Sequence, residues 1–330
     1  MNELVPRTDD VIQSAFVLAG ARHSQNLTAA EVSEVLRSDE LGWVHLRAQH
    51  PDTPSWIVEN LSYLDPTIID ALVAEETRPR VTRVGEGMIV ILRGINTIEG
   101  QEPEDMVSVR MWIDPYRIVS LARRKVRAIE EIATELEHGR GPCDCAEFLV
   151  MLVERLTQRI ERHWNSIDDL ADDLEESVLD EAGPEVRATL VELRREAIIL
   201  RRYLQPQRDA LRALQSGQPA WLEADDQRHL AEELDALERV VEDADAMRER
   251  MALVRDELNG QASERLNRNM YLLSILSAVF LPLGFLTGLF GINVAGLPGT
   301  NEPMAFWIFT GALVIVAALQ LAVLRKMRWI

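Results

Sequence analysis

Two uncharged apolar runs dominate the second half of the chain. No residue from 269 to 301 is charged, and within that run residues 271–290 read YLLSILSAVFLPLGFLTGLF. About 20 apolar residues suffice to cross the hydrocarbon core of a bilayer as a helix. Residues 303–324 (PMAFWIFTGALVIVAALQLAVL) form a second charge-free stretch. Both are predicted transmembrane helices, because buried helices of soluble cores rarely need this length without a charge.

Ahead of the spans the period changes twice. Residues 43–46, 88–92, 106–113 and 117–121 are short β-rich runs, while 55–64 and 65–76 carry a helical pattern, the latter opened by Asp65 as cap and Pro66 as first position. An α/β domain is predicted for this part. From Asp144 to about Leu214 apolar residues recur at spacing three and four, including Phe148, Leu149, Leu152, Leu156 and Ile160. The break at Ala182, Gly183 and Pro184 reads as a hairpin tip between two long helices. Pro206 should kink the second of them or bound it.

A third helical pattern starts near Asp225 and reaches the first span without a proline, weakened only by Gly260. As one helix, 225–290 would be roughly 100 Å long. Its cytosolic part repeats Leu230, Leu234, Leu237, Val241, Ala244 and Met247, the stripe of a helix that packs on other helices.

Charge sets the topology. Of the net −19, the residues after Arg268 (Glu302, Arg325, Lys326 and Arg328) contribute +2, so the part through Arg268 carries −21. Such a surface repels nucleic acid and gathers cations. Arg265 and Arg268 precede the first span, Arg325, Lys326 and Arg328 follow the second, and the connecting loop has no basic residue. Positive-inside asymmetry puts both termini in the cytoplasm and the loop outside. The first ten residues have neither the basic nor the apolar region of a secretory signal, so the chain is expected to begin in the cytosol. The two cysteines, Cys143 and Cys145, are one residue apart and suit a reducing compartment.

The first span carries a second pattern at spacing three and four: Asn267, Met270, Ser274, Ser277, Leu281, Gly284, Gly288 and Gly291. Apart from Met270 and Leu281 each member is polar or small, and nothing is gained by turning such residues to lipid. In one reading Gly284 and Gly288 form a small-xxx-small helix contact and the serines bond between helices. In the other the stripe lines a narrow pore wetted by hydroxyls and an amide, with Met270 and Leu281 as hydrophobic constrictions. Two spans cannot enclose a pore, so the second reading requires an oligomer.

The order of these features resembles the CorA-type metal ion transporters: a soluble α/β domain, a long helix running into the membrane, a Gly-x-Asn tripeptide, a short outer loop, a second span and a basic tail. The family's Gly-Met-Asn stands here as Gly291-Ile292-Asn293, and Phe280, Leu281, Pro282, Leu283, Phe285 and Gly288 extend the match. An aliphatic middle residue, with the loop that follows, is closer to the ZntB branch, which moves zinc. The resemblance covers 267–330 well and the first 140 residues in pattern alone.

It implies an α+β membrane protein assembled as a homopentameric funnel in the cell inner membrane. The parts would be a cytosolic α/β domain (1–140), a long-helix stalk (141–268), a pore-lining helix (269–292), a periplasmic loop with Glu302 (293–302), a second span (303–324) and a basic cytosolic tail (325–330). Gly291, Ile292 and Asn293 would form the selectivity filter, with a ring of Asn293 carboxamides bonding the water shell of a hydrated cation. Carried inward by position, Asn267, Met270, Ser277, Leu281 and Gly284 are pore candidates. Gly284 departs from the threonine usual in magnesium transporters. The implied cargo is Zn²⁺, with Mg²⁺ as runner-up and Co²⁺, Ni²⁺ and Cd²⁺ as further candidates. From another class, a non-conducting membrane-anchored coiled-coil sensor or scaffold fits the same helices.

Other clusters admit plainer explanations. Asp168, Asp169, Asp172, Asp173, Glu175 and Glu176 crowd two helical turns; they form either a solvated face or a divalent-cation site. Cys143, Cys145 and His138 lack the spacing and ligand number of a zinc site. Arg123, Arg124, Lys125 and Arg127 read as a salt-bridged surface. Gly94-Ile95-Asn96 repeats the tripeptide after a β-run and reads as a strand end. No phosphate-binding glycine loop, catalytic triad or acid–base pair stands out, so no enzymatic activity and no catalytic cofactor are expected.

Overall fold

The computed structural model describes residues 11–179, 184–217, 219–291 and 302–327. The chain divides into two compact units, residues 1–254 and 255–330.

The first unit is built on a six-stranded sheet of order β1-β2-β6-β5-β4-β3. Its strands are β1 (Ile12–Val17), β2 (Gly42–Arg47), β3 (Arg80–Val84), β4 (Gly87–Gly94), β5 (Val107–Asp114) and β6 (Arg117–Ala122). Only β2 and β6 pair in parallel; every other neighbour is antiparallel. Successive side chains of a strand point to opposite faces, and β2 separates two cores in this way. Val44 and Leu46 join Val119, Leu121, Ile89 and Ile91 in a cluster with residues of α1 (Ala29–Val35), α2 (Thr53–Asn60) and α3 (Pro66–Val73). Asp65 caps α3, its carboxylate accepting from the Thr67 N–H at 2.8 Å, and Pro66 follows as expected.

Trp43 and His45 turn to the other face, where helices α4 (Arg127–Glu137) and α5 (Cys145–Leu179) lie. There the Trp43 ring sits 4.9 Å from Phe148 of α5. Ser120 Oγ accepts from Trp43 Nε1 at 2.8 Å and lies 2.8 Å from His45 Nδ1. Burial alone pushes the His45 imidazole down to about 4.

Helices α5, α6 (Pro184–Gly217) and α7 (Ala224–Gly291) complete the unit. Residues 180–183, which include Ala182 and Gly183 of the expected hairpin tip, lie outside the described residues, and Pro184 opens α6. Ion pairs give the directions. His163 of α5 meets Glu196 of α6 at 2.8 Å, while Arg201 and Arg212 of α6 meet Asp245 and Glu238 of α7. Glu161 pairs with Arg239 and the 168–175 segment with Arg250, so α5 runs parallel to α7 and α6 runs against both. The predicted apolar stripe of α7, from Leu230 to Met247, is buried throughout.

Pro206 sits inside α6 without ending it. One residue on, the Gln207 amide clasps the main chain of Arg93 in β4: Oε1 accepts from its N–H at 2.6 Å and Nε2 donates to its carbonyl at 2.9 Å. The repeated tripeptide is indeed a strand end. Gly94 closes β4, and Asn96 Oδ1 accepts from the Ile98 N–H in a local turn. Gly94 also admits α5, since a Cβ there would come within 2.6 Å of Leu156.

A candidate pore helix and the acidic seam beside its stem

Helix α7 continues for 68 residues through Gly260 and Pro282 to Gly291, and α8 (Ala305–Lys326) follows. Each contains a stretch long and apolar enough to cross a membrane, with 0% and 6% of those windows buried. The two helices meet where Phe290 and Phe309 bring their rings to 4.7 Å.

Away from that contact the half-covered residues form one stripe on each helix. On α7 they are Ile275, Val279, Pro282, Leu283 and Leu286; on α8 they include Phe309, Leu313, Val316, Ala317 and Gln320, with Leu324 buried. For two antiparallel helices with the same rise per residue, the Phe290–Phe309 contact fixes which residues are level. Leu286 lies level with Leu313, Leu283 with Val316, Pro282 with Ala317, Val279 with Gln320 and Ile275 with Leu324. Every pair joins one covered position to another, as expected of helices packed side by side.

The stripe picked out in the sequence occupies the other side of α7. At 100° per residue, Asn267, Met270, Ser274, Ser277, Leu281, Gly284, Gly288 and Gly291 centre roughly 160° from the face that α8 covers. All eight are exposed in the protomer. A Cβ added at Gly284, Gly288 or Gly291 would meet no atom of the described residues within 4 Å. The small residues therefore do not serve to admit the second helix of the same chain. The Ser274 hydroxyl donates to the Met270 carbonyl at 2.8 Å, leaving its lone pairs on the exposed face.

Glu302 is exposed, and its carbonyl accepts from Ala305 at the start of α8. Arg325 and Lys326 occupy the last turn of α8, where the helix dipole favours cations. Ile292, Asn293 and Arg328 lie outside the described residues.

In the first unit, α5 carries an acid every seventh residue, at Glu154, Glu161, Asp168 and Glu175, on the flank that meets α7. Arg250 of α7 reaches into this row and donates to Asp168 and Glu175 at 2.9 Å each, and to Asp172. Its pKa is raised, first by the hydrogen bonds it donates to Glu175 and Asp172. Asp169, Asp173 and Glu176 face another direction, about 100° around α5, and are exposed. The acidic cluster thus splits into a clasp on Arg250 and a solvated row. No group of three or more His, Cys, Asp or Glu able to hold a metal ion occurs among the described residues.

Further along the seam the acids outnumber the bases. Half-buried Glu233 has its carboxyl pushed up by burial and then by Glu154 and Glu161. Asp243 is pushed up by burial and by Asp168. The sequence shows each of these acids, but not which of them face one another.

The remaining candidates are structural. Cys145 is buried at the start of α5 and its thiol is driven up to about 12, chiefly by burial, while Cys143 is exposed. His138 Nδ1 lies 2.6 Å from the Thr134 carbonyl. Each member of the basic cluster has an acid: Arg123 with Glu75, Arg124 with Asp105, and Lys125 and Arg127 with Glu130.

Known proteins resemble the chain over nearly its whole length. The family model described as CorA-like Mg2+ transporter protein matches residues 38–326. A protein named zinc transport protein ZntB from Pectobacterium atrosepticum is 36% identical over 318 residues, covering 94% of this chain and 97% of the relative. One of the same name from Yersinia enterocolitica is 34% identical over 328 residues, covering 98% and 100%. Among solved structures, full-length CmaX superposes with a TM-score of 0.83 at 34% identity, covering 98% of this chain and 100% of that one. The CorA magnesium transporter from Methanocaldococcus jannaschii shares the fold, with a TM-score of 0.79 at 17% identity over 96% and 98%. With a sheet-based first unit, a helix that continues into an apolar hairpin, and a family match from residue 38 to the end of α8, the chain belongs to the CorA-like transporter family.

Proposed function

We propose that this protein carries a divalent cation, Zn²⁺ foremost, across the cell inner membrane through a pore that a homopentamer encloses. The observation that carries this reading is the orientation of α7: its polar and small stripe faces away from α8, toward neighbours the single chain does not supply. Five such stripes around an axis would present Asn267, Ser274 and Ser277 as neutral oxygens, and Met270 and Leu281 as apolar constrictions, to a cation that keeps its water. Asn293, just beyond Gly291, would supply the outer ring of carboxamides. Both termini would face the cytoplasm, with Arg265, Arg268, Arg325, Lys326 and Arg328 on that side. The relatives named for zinc transport support Zn²⁺ as cargo.

A second reading, Mg²⁺ as cargo with Co²⁺ accepted, draws on the description of the family model. The test is uptake by proteoliposomes loaded with a metal-sensitive dye, comparing Zn²⁺, Mg²⁺, Co²⁺, Ni²⁺ and Cd²⁺ with and without an inward proton gradient. Zinc flux that the gradient enhances is the expected result. Magnesium flux indifferent to protons would transfer the protein to the second reading. Asn293→Ala should abolish flux with the oligomer intact; normal flux from that variant would remove the filter assignment. A well-assembled protein that moves no metal would instead be a membrane-anchored scaffold.

A further inference from the structure

The covered face of α8 has a glutamine at its centre. Gln320 lies in the middle of the apolar stripe, a turn from Val316 and from Leu324, and level with Val279 of α7 by the register above. Its Oε1 is shut off from solvent and has no hydrogen-bond partner among the described residues. In a hydrocarbon environment such a group is unfavourable unless it is bonded across to another helix.

The turn of α7 level with Gln320 holds a carbonyl that lacks its intrahelical donor. Pro282 has no N–H, so the carbonyl four residues earlier, at Ala278, is without its intrahelical donor. Ala278 adjoins Val279, the residue level with Gln320. A half-turn about the last side-chain torsion of Gln320 costs little and exchanges Oε1 for Nε2, which carries two donors, at the sealed position.

We infer that Gln320 is a positioning residue: its amide donates to the Ala278 carbonyl that Pro282 frees, and so fixes the rotation of α7 about its own axis at that depth. Ser277 and Leu281 belong to the same turn, so this bond sets where they point. The inference rests on the pore reading for its functional consequence but not for the bond itself. The bond can be measured separately.

The experiment is a double-mutant cycle on the purified full-length protein with Gln320→Leu, Pro282→Ala and both together, read by thermal unfolding in detergent and by zinc uptake per oligomer. Gln320→Leu should lower the unfolding midpoint and cut maximal uptake about threefold to tenfold, the range of one interhelical hydrogen bond, with KM unchanged. Pro282→Ala restores the donor to Ala278, so in that background Gln320→Leu should have little effect on either readout. Equal losses in both backgrounds, or no loss in either, would overturn the inference. If Gln320→Leu yields no folded protein, Gln320→Asn, whose shorter amide falls short of α7, replaces it in the same cycle. If the wild type carries no metal, the pore reading fails and the unfolding cycle alone decides.

Discussion

Replacing Gln207 by leucine keeps most of the side-chain volume and removes the clasp on Arg93. The strand β3 pairs with β4 only as far as Arg80 opposite Ile91, so Arg93, two residues on, has no strand on that side. Gln207 stands in for the missing residue, one oxygen and one nitrogen at 2.6 and 2.9 Å, and is itself 2% exposed. With leucine there, a buried N–H and a buried carbonyl lose their partners, each at about 1–3 kcal/mol. The added apolar contact of leucine offsets part of this, leaving a net loss of about 2–4 kcal/mol. At about 2–4 °C per kcal/mol for a unit of this size, the unfolding midpoint should fall by roughly 5–15 °C. The measurement is thermal unfolding of the full-length protein followed by far-ultraviolet circular dichroism. A midpoint within about 2 °C of the wild type would refute the reasoning, because it would mean that solvent or β3 satisfies Arg93 without the amide.

Three further outcomes are expected. His45 is neutral in the fold, with its pKa depressed to about 4; the stability tied to that neutrality is complete above its unfolded pKa near 6.5 and is lost as pH falls toward 4. That loss is of order 3 kcal/mol, and His45→Gln should flatten it in an unfolding series over that range. Glu233 has the opposite sign: its raised pKa favours the protonated form, so its contribution is most favourable at low pH and declines as pH rises through the folded value. Glu233→Gln should therefore raise the midpoint at pH 7.5 and not at pH 4, and a lower midpoint at pH 7.5 would contradict the unfavourable approach of Glu154 and Glu161. Arg250→Gln leaves three acids of α5 without their cation; with these groups a third to two thirds exposed, screening limits the loss to about 1–2 kcal/mol at low salt. The loss should shrink in 0.5 M NaCl, and a salt-independent loss would assign Arg250 a packing role instead.

Much of the secondary structure follows from apolar period, and the omissions have physical reasons. The central strands β2, β4, β5 and β6 stand out because they are buried on both faces. At the edge, β3 reads Arg-Val-Thr-Arg-Val and is largely exposed, so its composition does not distinguish it from a loop. The opening strand β1 mixes Gln, Ser and Ala with its apolar residues and gains its role by pairing with β2. Helices α1 and α4 are likewise hard to read from apolar period; α4 begins inside the basic cluster, whose charges hide the stripe Ile129, Ile132, Ala133 and Leu136. The seven-residue spacing of the α5 acids is visible in one dimension, but its meaning depends on α7 lying parallel beside it. In the same way the stripe of the first span was legible, whereas its opposition to α8 required the register between two helices.

That opposition separates two kinds of constraint on a single helix. Substitutions at Ile275, Val279, Leu283 or Leu286 act on the hairpin and so on whether the chain folds in a bilayer. Substitutions at Ser274, Ser277 or Gly284 fall on the exposed face instead and, in the proposed pore, would act on what the assembly encloses. In the proposed pore, the preference for one cation over another would change through the second set while the first stays fixed. This gives a route by which one scaffold diversifies its cargo without rebuilding the protein that holds it.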